Sequence, residues 1–248
     1  MLGKMTRKIC RWSGRFRNRK RIFLLSHMRA NTSLFGHILG SNPDVEGYYE
    51  LHESYLRPAD LKKTQRKYYH SHCPKKAANY LFDKLLHNHH QLARDVMGAG
   101  DKLVMMIREP EPTIKSIVKI FSDKPNSQWA DQESAERYYV DRLRELARLS
   151  AEFRGRYFVL KSEDLISDTD QTLRSLSEFL ALETPLSEHY KTFAKTGRRG
   201  FGDSSSNITT GKIVKEKPVN EPSVEVDPSC REVYRETLAT LYDNASHY

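Results

Sequence analysis

Cysteine is scarce in this chain of 248 residues: Cys10, Cys73 and Cys230 are odd in number and far apart. They give no disulfide framework and suit a reducing, cytoplasmic setting. His70, His72 and Cys73 stand close together, but no second ligand pair with zinc spacing accompanies them, so no metal is expected. Long apolar runs are missing too. Met1 to Arg21 carries nine basic residues, no acidic one and no apolar core of the kind a signal peptide needs. No later stretch is long enough to span a bilayer. Residues 1–20 therefore read as a basic extension, solvated or weakly drawn to an anionic surface, and residues 21–248 as a single domain. Internal repeats and low-complexity tracts are absent. So are zinc-finger, RRM and KH signatures, which argues against nucleic acid as a partner.

What the chain does have is positive charge and alternating patterns. Lys and Arg total 41 against 32 Asp and Glu, a formal charge of +9, which suits a phosphate-rich or polyanionic partner. Hydrophobic residues make up 38%, enough for a sizeable core. Strand patterns cover Arg21–Ser26, Val45–Leu51, Lys102–Ile107 and Arg156–Leu160. Helical patterns cover Thr32–Leu39, Thr113–Phe121, Asp131–Phe153, Asp168–Leu182 and Asp227–Tyr248. In the long helix, Ala135, Tyr138, Tyr139, Leu143, Leu146 and Leu149 form one stripe. Leu56–Lys76 is polar and basic and reads as a loop or lid; its Tyr68 and Tyr69, with the adjoining Tyr55, either stack on an acceptor or simply pack. Ala78–Val96 is ambiguous. Strands alternating with helices predict an α/β fold with a central parallel sheet flanked by helices, and ligands at the carboxyl ends of its strands.

Two strand ends carry candidate anion contacts. The first strand stops before Met28-Arg-Ala-Asn-Thr-Ser-Leu34. A strand entering a helix through such a turn aims backbone N–H groups at one point, where the helix dipole favours an anion. The GxxxxGK[ST] pattern is absent, so this is no ordinary nucleoside-triphosphate loop. Another strand ends in Arg108, and Ser116 follows eight residues later, about one turn into a helix. An arginine fork and a hydroxyl make a workable phosphate clamp.

These segments resemble the PAPS-dependent sulfotransferases. Met28–Leu34 resembles their 5′-phosphosulfate loop, with Ala30-Asn31 in place of the usual Ser-Gly. The stretch from Val104 to Ser116 resembles their 3′-phosphate motif. Lys161-Ser-Glu-Asp-Leu165 resembles the Tyr-Glu-Asp-Leu segment, with Ser162 for the tyrosine, and Arg198-Arg-Gly-Phe-Gly-Asp203 resembles the late Arg-Lys-Gly loop. The four matches keep the family's order.

The resemblance implies a three-layer fold like that of P-loop nucleotide kinases. It also implies transfer of the sulfuryl group of 3′-phosphoadenosine 5′-phosphosulfate (PAPS) to a hydroxyl or amine without a metal. A carbohydrate, a glycolipid or another small molecule is the acceptor it suggests here. Arg29 would stabilise the leaving 5′-phosphate, cradled by Ala30, Asn31, Thr32 and Ser33. Arg108, Ser116, Arg198, Arg199 and Gly200 would grip the 3′-phosphate.

Lys84, 24 residues before Arg108, sits where cytosolic members place a catalytic lysine, which favours a strand over Tyr80–Leu85. The plain alternative is an exposed helix lysine. For the general base, Glu50 is the first candidate, 21 residues after Arg29, with His52 to orient it. His87 is the second. Two other classes stay open. A small-molecule kinase on a related fold would stop on metal removal. A nucleotide- or polyanion-binding protein without catalysis would turn over no acceptor.

Overall fold

The computed structural model describes residues 11–122, 127–194, 196–198, 206–215 and 225–246. Among these, five strands make one parallel sheet: β1 (Lys20–Ser26), β2 (Val45–Glu46), β3 (Tyr80–Leu85), β4 (Lys102–Ile107) and β5 (Tyr157–Lys161). The spatial order is β2-β3-β1-β4-β5. The chain leaves β1 toward one edge and returns for β4 on the other side, so the crevice for a ligand opens beyond the carboxyl end of β1.

The helices are α1 (Thr32–Ser41), α2 (Pro58–Ser71), α3 (Pro110–Phe121), α4 (Gln132–Glu152), α5 (Asp164–Ser167), α6 (Thr169–Leu180) and α7 (Pro228–Asn244). Both sheet faces are covered, which is why the central strands read as unbroken apolar runs. Phe23, Leu25, Met105 and Ile107 pack with Ile114 and Ile117 of α3, Leu143 and Leu146 of α4, and Leu241 of α7. Ile22, Leu24, Val104 and Met106 pack on the other face with Phe35 and Ile38 of α1 and Leu173 and Leu176 of α6. This is the expected three-layer α/β architecture.

Two sequence expectations are corrected. The strand expected over Val45–Leu51 ends at Glu46. Gly47 follows with φ of +88°, and a Cβ there would lie 2.5 Å from the Phe82 carbonyl oxygen, so the chain turns off the sheet at a position only glycine fills. Glu50 consequently lies on the connection after β2 rather than on a strand end. The segment expected to be a loop or lid over Leu56–Lys76 is largely the helix α2. Pro58 occupies its first turn, and the Asp60 carboxylate accepts from the N–H groups of Leu56 and Arg57 at 3.0 and 2.9 Å. Its buried stripe, Thr64, Gln65, Tyr68 and Tyr69, is mostly polar, so hydrophobic periodicity missed it. Tyr55, Tyr68 and Tyr69 are all buried and pack rather than face an acceptor.

Candidate functional site

The turn after β1 is built around two left-handed residues, Arg29 (φ 64°) and Asn31 (φ 56°). Asparagine is among the few side chains that tolerate this conformation. Asn31 thus occupies, as the residue preceding α1, a backbone shape that glycine would otherwise serve. Its Nδ2 donates to Ser162 Oγ at 2.9 Å, so the serine at the end of β5 anchors the loop. Left-handed residues on either side of Ala30 fold the backbone into a concavity of the kind that holds anions.

Arg29 Nε donates to Ser116 Oγ at 2.8 Å. Arg108 Nη1 donates to the Arg29 carbonyl at 2.9 Å. Ser116 therefore holds Arg29 rather than Arg108, and all three meet at the carboxyl ends of β1 and β4. Lys84 is buried on β3, not exposed on a helix, and its Nζ donates to Thr32 Oγ1 at 3.4 Å. Register explains this: Lys84 pairs with Leu24 of β1, so both face α1. Thr32 and Ser33 are buried in the first turn of α1. Arg198 lies exposed, two residues after Thr196, whose Oγ1 bonds His37 Nε2 of α1 at 2.8 Å. Arg199 and Gly200 lie outside the described residues.

Sequence reasoning missed the side chains that hold this loop. His27 is wholly buried; its Nδ1 bonds the Met28 carbonyl at 2.8 Å and its Nε2 accepts from the Arg108 N–H at 3.0 Å. The Tyr138 hydroxyl accepts from the Met28 N–H at 2.9 Å and donates to the Leu86 carbonyl at 2.8 Å. Tyr139 Oη donates to the Arg108 carbonyl at 2.6 Å. Arg142, also fully buried, donates from Nε to the Ser26 carbonyl, from Nη2 to the Leu85 carbonyl and from Nη1 to Asn88 Oδ1, each at 2.9 Å. A charged residue on the apolar stripe of α4 was the available signal for Arg142.

Burial pushes the His27 imidazole down from 6.5 to about 3. The folded state therefore resists a proton that the unfolded chain accepts. The resulting stability is whole above pH 6.5 and is lost as pH falls toward 3. At pH 4.5 the expected loss is about 2–3 kcal/mol. Denaturant unfolding at pH 7 and pH 4.5 should show it, with a smaller drop in His27→Gln; equal drops would contradict the assignment.

Glu50, on the connection after β2, lies beside the segment that follows β3. Loss of water raises its carboxyl to about 7, against the opposing pull of the Lys84 and Arg142 charges and the nearby Leu86 N–H. Its Oε1 lies 3.5 Å from Nδ1 of both His52 and His90. His87 stacks on Trp129 (5.6 Å between ring centroids) and on His89 (5.2 Å), and burial lowers it to about 4. Asp83, buried on β3, accepts from the Leu51 N–H at 2.9 Å and from Tyr55 Oη at 2.5 Å, which fixes the Glu50 segment to the sheet.

No family model matches this chain, and no curated protein matches it. Solved structures do match. The sulfotransferase domain from the curacin biosynthetic pathway superposes with a TM-score of 0.60 at 15% identity, over 89% of this chain and 98% of that one. The sulfotransferase domain of the Synechococcus PCC 7002 olefin synthase gives 0.51 at 17% identity, over 91% and 94%. A sulfotransferase from Alicyclobacillus acidocaldarius gives 0.50 at 14% identity, over 92% and 96%. This chain has the sulfotransferase fold.

Proposed function

We propose that the chain is a PAPS-dependent sulfotransferase acting on a hydroxyl of a carbohydrate, a glycolipid or another small acceptor. The observation that carries this reading is the convergence of Arg29, Arg108 and Lys84 on a left-handed loop at the start of α1. That donor set fits a co-substrate bearing a 5′-phosphosulfate and a 3′-phosphate. The co-substrate supplies an activated sulfuryl group, whose transfer builds charge on the leaving phosphate oxygen.

Arg29, Lys84 and the N–H groups from Ala30 to Ser33 offset that charge at the 5′ end. They are fixed before binding, so little reorganisation is needed as the charge develops. Arg108 holds the 3′-phosphate, and Arg198, with Arg199 and Gly200 of the same motif, is the further contact proposed for it. Glu50 takes the acceptor's proton. A carboxylate raised to about 7 is a better-matched base at neutral pH than an imidazole lowered to about 4. The net charge of +9 favours an anionic acceptor or surface.

Calorimetry with adenosine 3′,5′-bisphosphate and AMP tests the nucleotide site. Each charge-assisted hydrogen bond to the 3′-phosphate is worth about 1.5–3 kcal/mol. The bisphosphate should therefore bind at least about tenfold to a hundredfold more tightly. Arg108→Ala should remove most of that preference. Equal affinity for the two nucleotides would sink the assignment. Transfer from labelled PAPS to a panel of acceptors then identifies the substrate.

A further inference from the structure

The segments bearing Glu50 and the histidines are bound to one another before any ligand arrives. Tyr55 N–H donates to the Gln91 carbonyl at 2.7 Å and Ala93 N–H to the Tyr55 carbonyl at 2.9 Å. The Gln91 N–H also meets Ser54 Oγ at 3.1 Å. His52 is held in the left-handed region at φ 54°. Between these segments, one oxygen of Glu50 and one nitrogen each of His52 and His90 lie within 4.8 Å of one another.

The spacing is not that of hydrogen bonds. A nitrogen–oxygen hydrogen bond would span about 2.7–3.2 Å, whereas Oε1 lies 3.5 Å from Nδ1 of each histidine. Glu50 Oε1 and His90 Nδ1 are buried, and neither has a hydrogen-bond partner. Two imidazoles and a carboxylate are a common set of zinc ligands, with bonds of about 2.0–2.2 Å and a fourth position left open. Tetrahedral neighbours at such bond lengths lie about 3.4 Å apart, octahedral ones about 3.0 Å. The two edges from Glu50 Oε1, each 3.5 Å, match the tetrahedron. His52 is 60% exposed at its side chain, which gives an ion a way in.

We propose that Glu50, His52 and His90 bind one Zn²⁺ ion, and that the bound ion inhibits the enzyme by occupying the oxygen Glu50 needs as a base. The inhibitory half rests on the function proposed above; the binding half does not. A site of this kind is absent from the sequence motifs because its ligands come from two segments brought together by β3.

The test titrates Zn²⁺ into the chelator-treated full chain by calorimetry, with Co²⁺ as a visible probe of tetrahedral geometry. One ion per chain and the intense visible absorption of tetrahedral cobalt are expected. His52→Asn and His90→Asn, checked for folding by thermal melting, should each weaken binding at least about tenfold. Absence of binding overturns the site, as does binding that neither variant weakens. Weakening by His89→Asn in place of His52→Asn overturns the ligand assignment. With an acceptor in hand, zinc should lower turnover of the wild type, and the His90→Asn protein should need at least about tenfold more zinc for the same loss. Zinc that binds without lowering turnover overturns the inhibitory half. A zinc-free chain that transfers no sulfuryl group to any acceptor counts against the sulfotransferase reading and leaves the metal site standing.

Discussion

Glu50→Gln is expected to lower turnover on a hydroxyl acceptor by about 10²–10⁴-fold, the usual worth of a general base, with affinity for adenosine 3′,5′-bisphosphate unchanged. The amide keeps the shape, and the Leu51 N–H bond to Asp83 still ties the segment to the sheet, so it should stay in place. His87→Asn should cost much less, because the imidazole is engaged in stacking on Trp129 and burial leaves it a weak base. The assay needs chelator throughout, so that trace zinc does not mask the comparison. If His87→Asn is the crippling change and Glu50→Gln stays active, the base is misassigned. A drop in nucleotide affinity in Glu50→Gln would mean instead that Glu50 positions Lys84, whose charge it feels. Measuring binding beside turnover separates the two roles.

Arg142→Met should be the most destabilising single change near the site, by about 3–5 kcal/mol. It leaves the buried carbonyls of Ser26 and Leu85 without their donors and removes a cation facing Glu50. In a chain of this size that corresponds to a fall in melting temperature of about 6–20 °C. Arg148→Met on the outer face of the same helix is the control. Arg148 pairs with Glu145 and Glu152 at 2.8 Å, yet its side chain is 55% exposed, so its loss should cost about 1 kcal/mol or less. Similar melting temperatures for the two variants would mean that the carbonyls at the strand ends find other partners.

The central architecture was legible because its signals are local. β4 and α4 follow from an apolar run and a helical stripe, and their observed bounds differ from the expected ones by at most a residue. Arg29, Ser116, Arg108 and Lys84 meet because parallel strands bring their carboxyl ends to one edge, which the alternation of elements already implied. What escaped depended on contacts distant in sequence. The helix α2 hides its buried face in polar residues that hydrogen-bond to the segment before β1, as Gln65 does to the carbonyls of Gly14 and Arg17. The early end of β2 depends on how closely Gly47 approaches Phe82. His90 reaches Glu50 across 40 residues of chain. In the motif turn itself, the substituted Asn31 looked like a departure and proved to carry a tether.

That tether bears on how binding divides between enthalpy and entropy. A glycine at position 31 would adopt the same turn with many alternatives open to it. Asn31 bonded to Ser162 confines the turn to one shape while no ligand is present. Ordering has then been completed during folding, and the nucleotide proposed to bind there would have little of it left to supply. The loop is stiff by side-chain chemistry where glycine would have left it supple, and under the proposed function its affinity for a phosphate would be set by charge already in position.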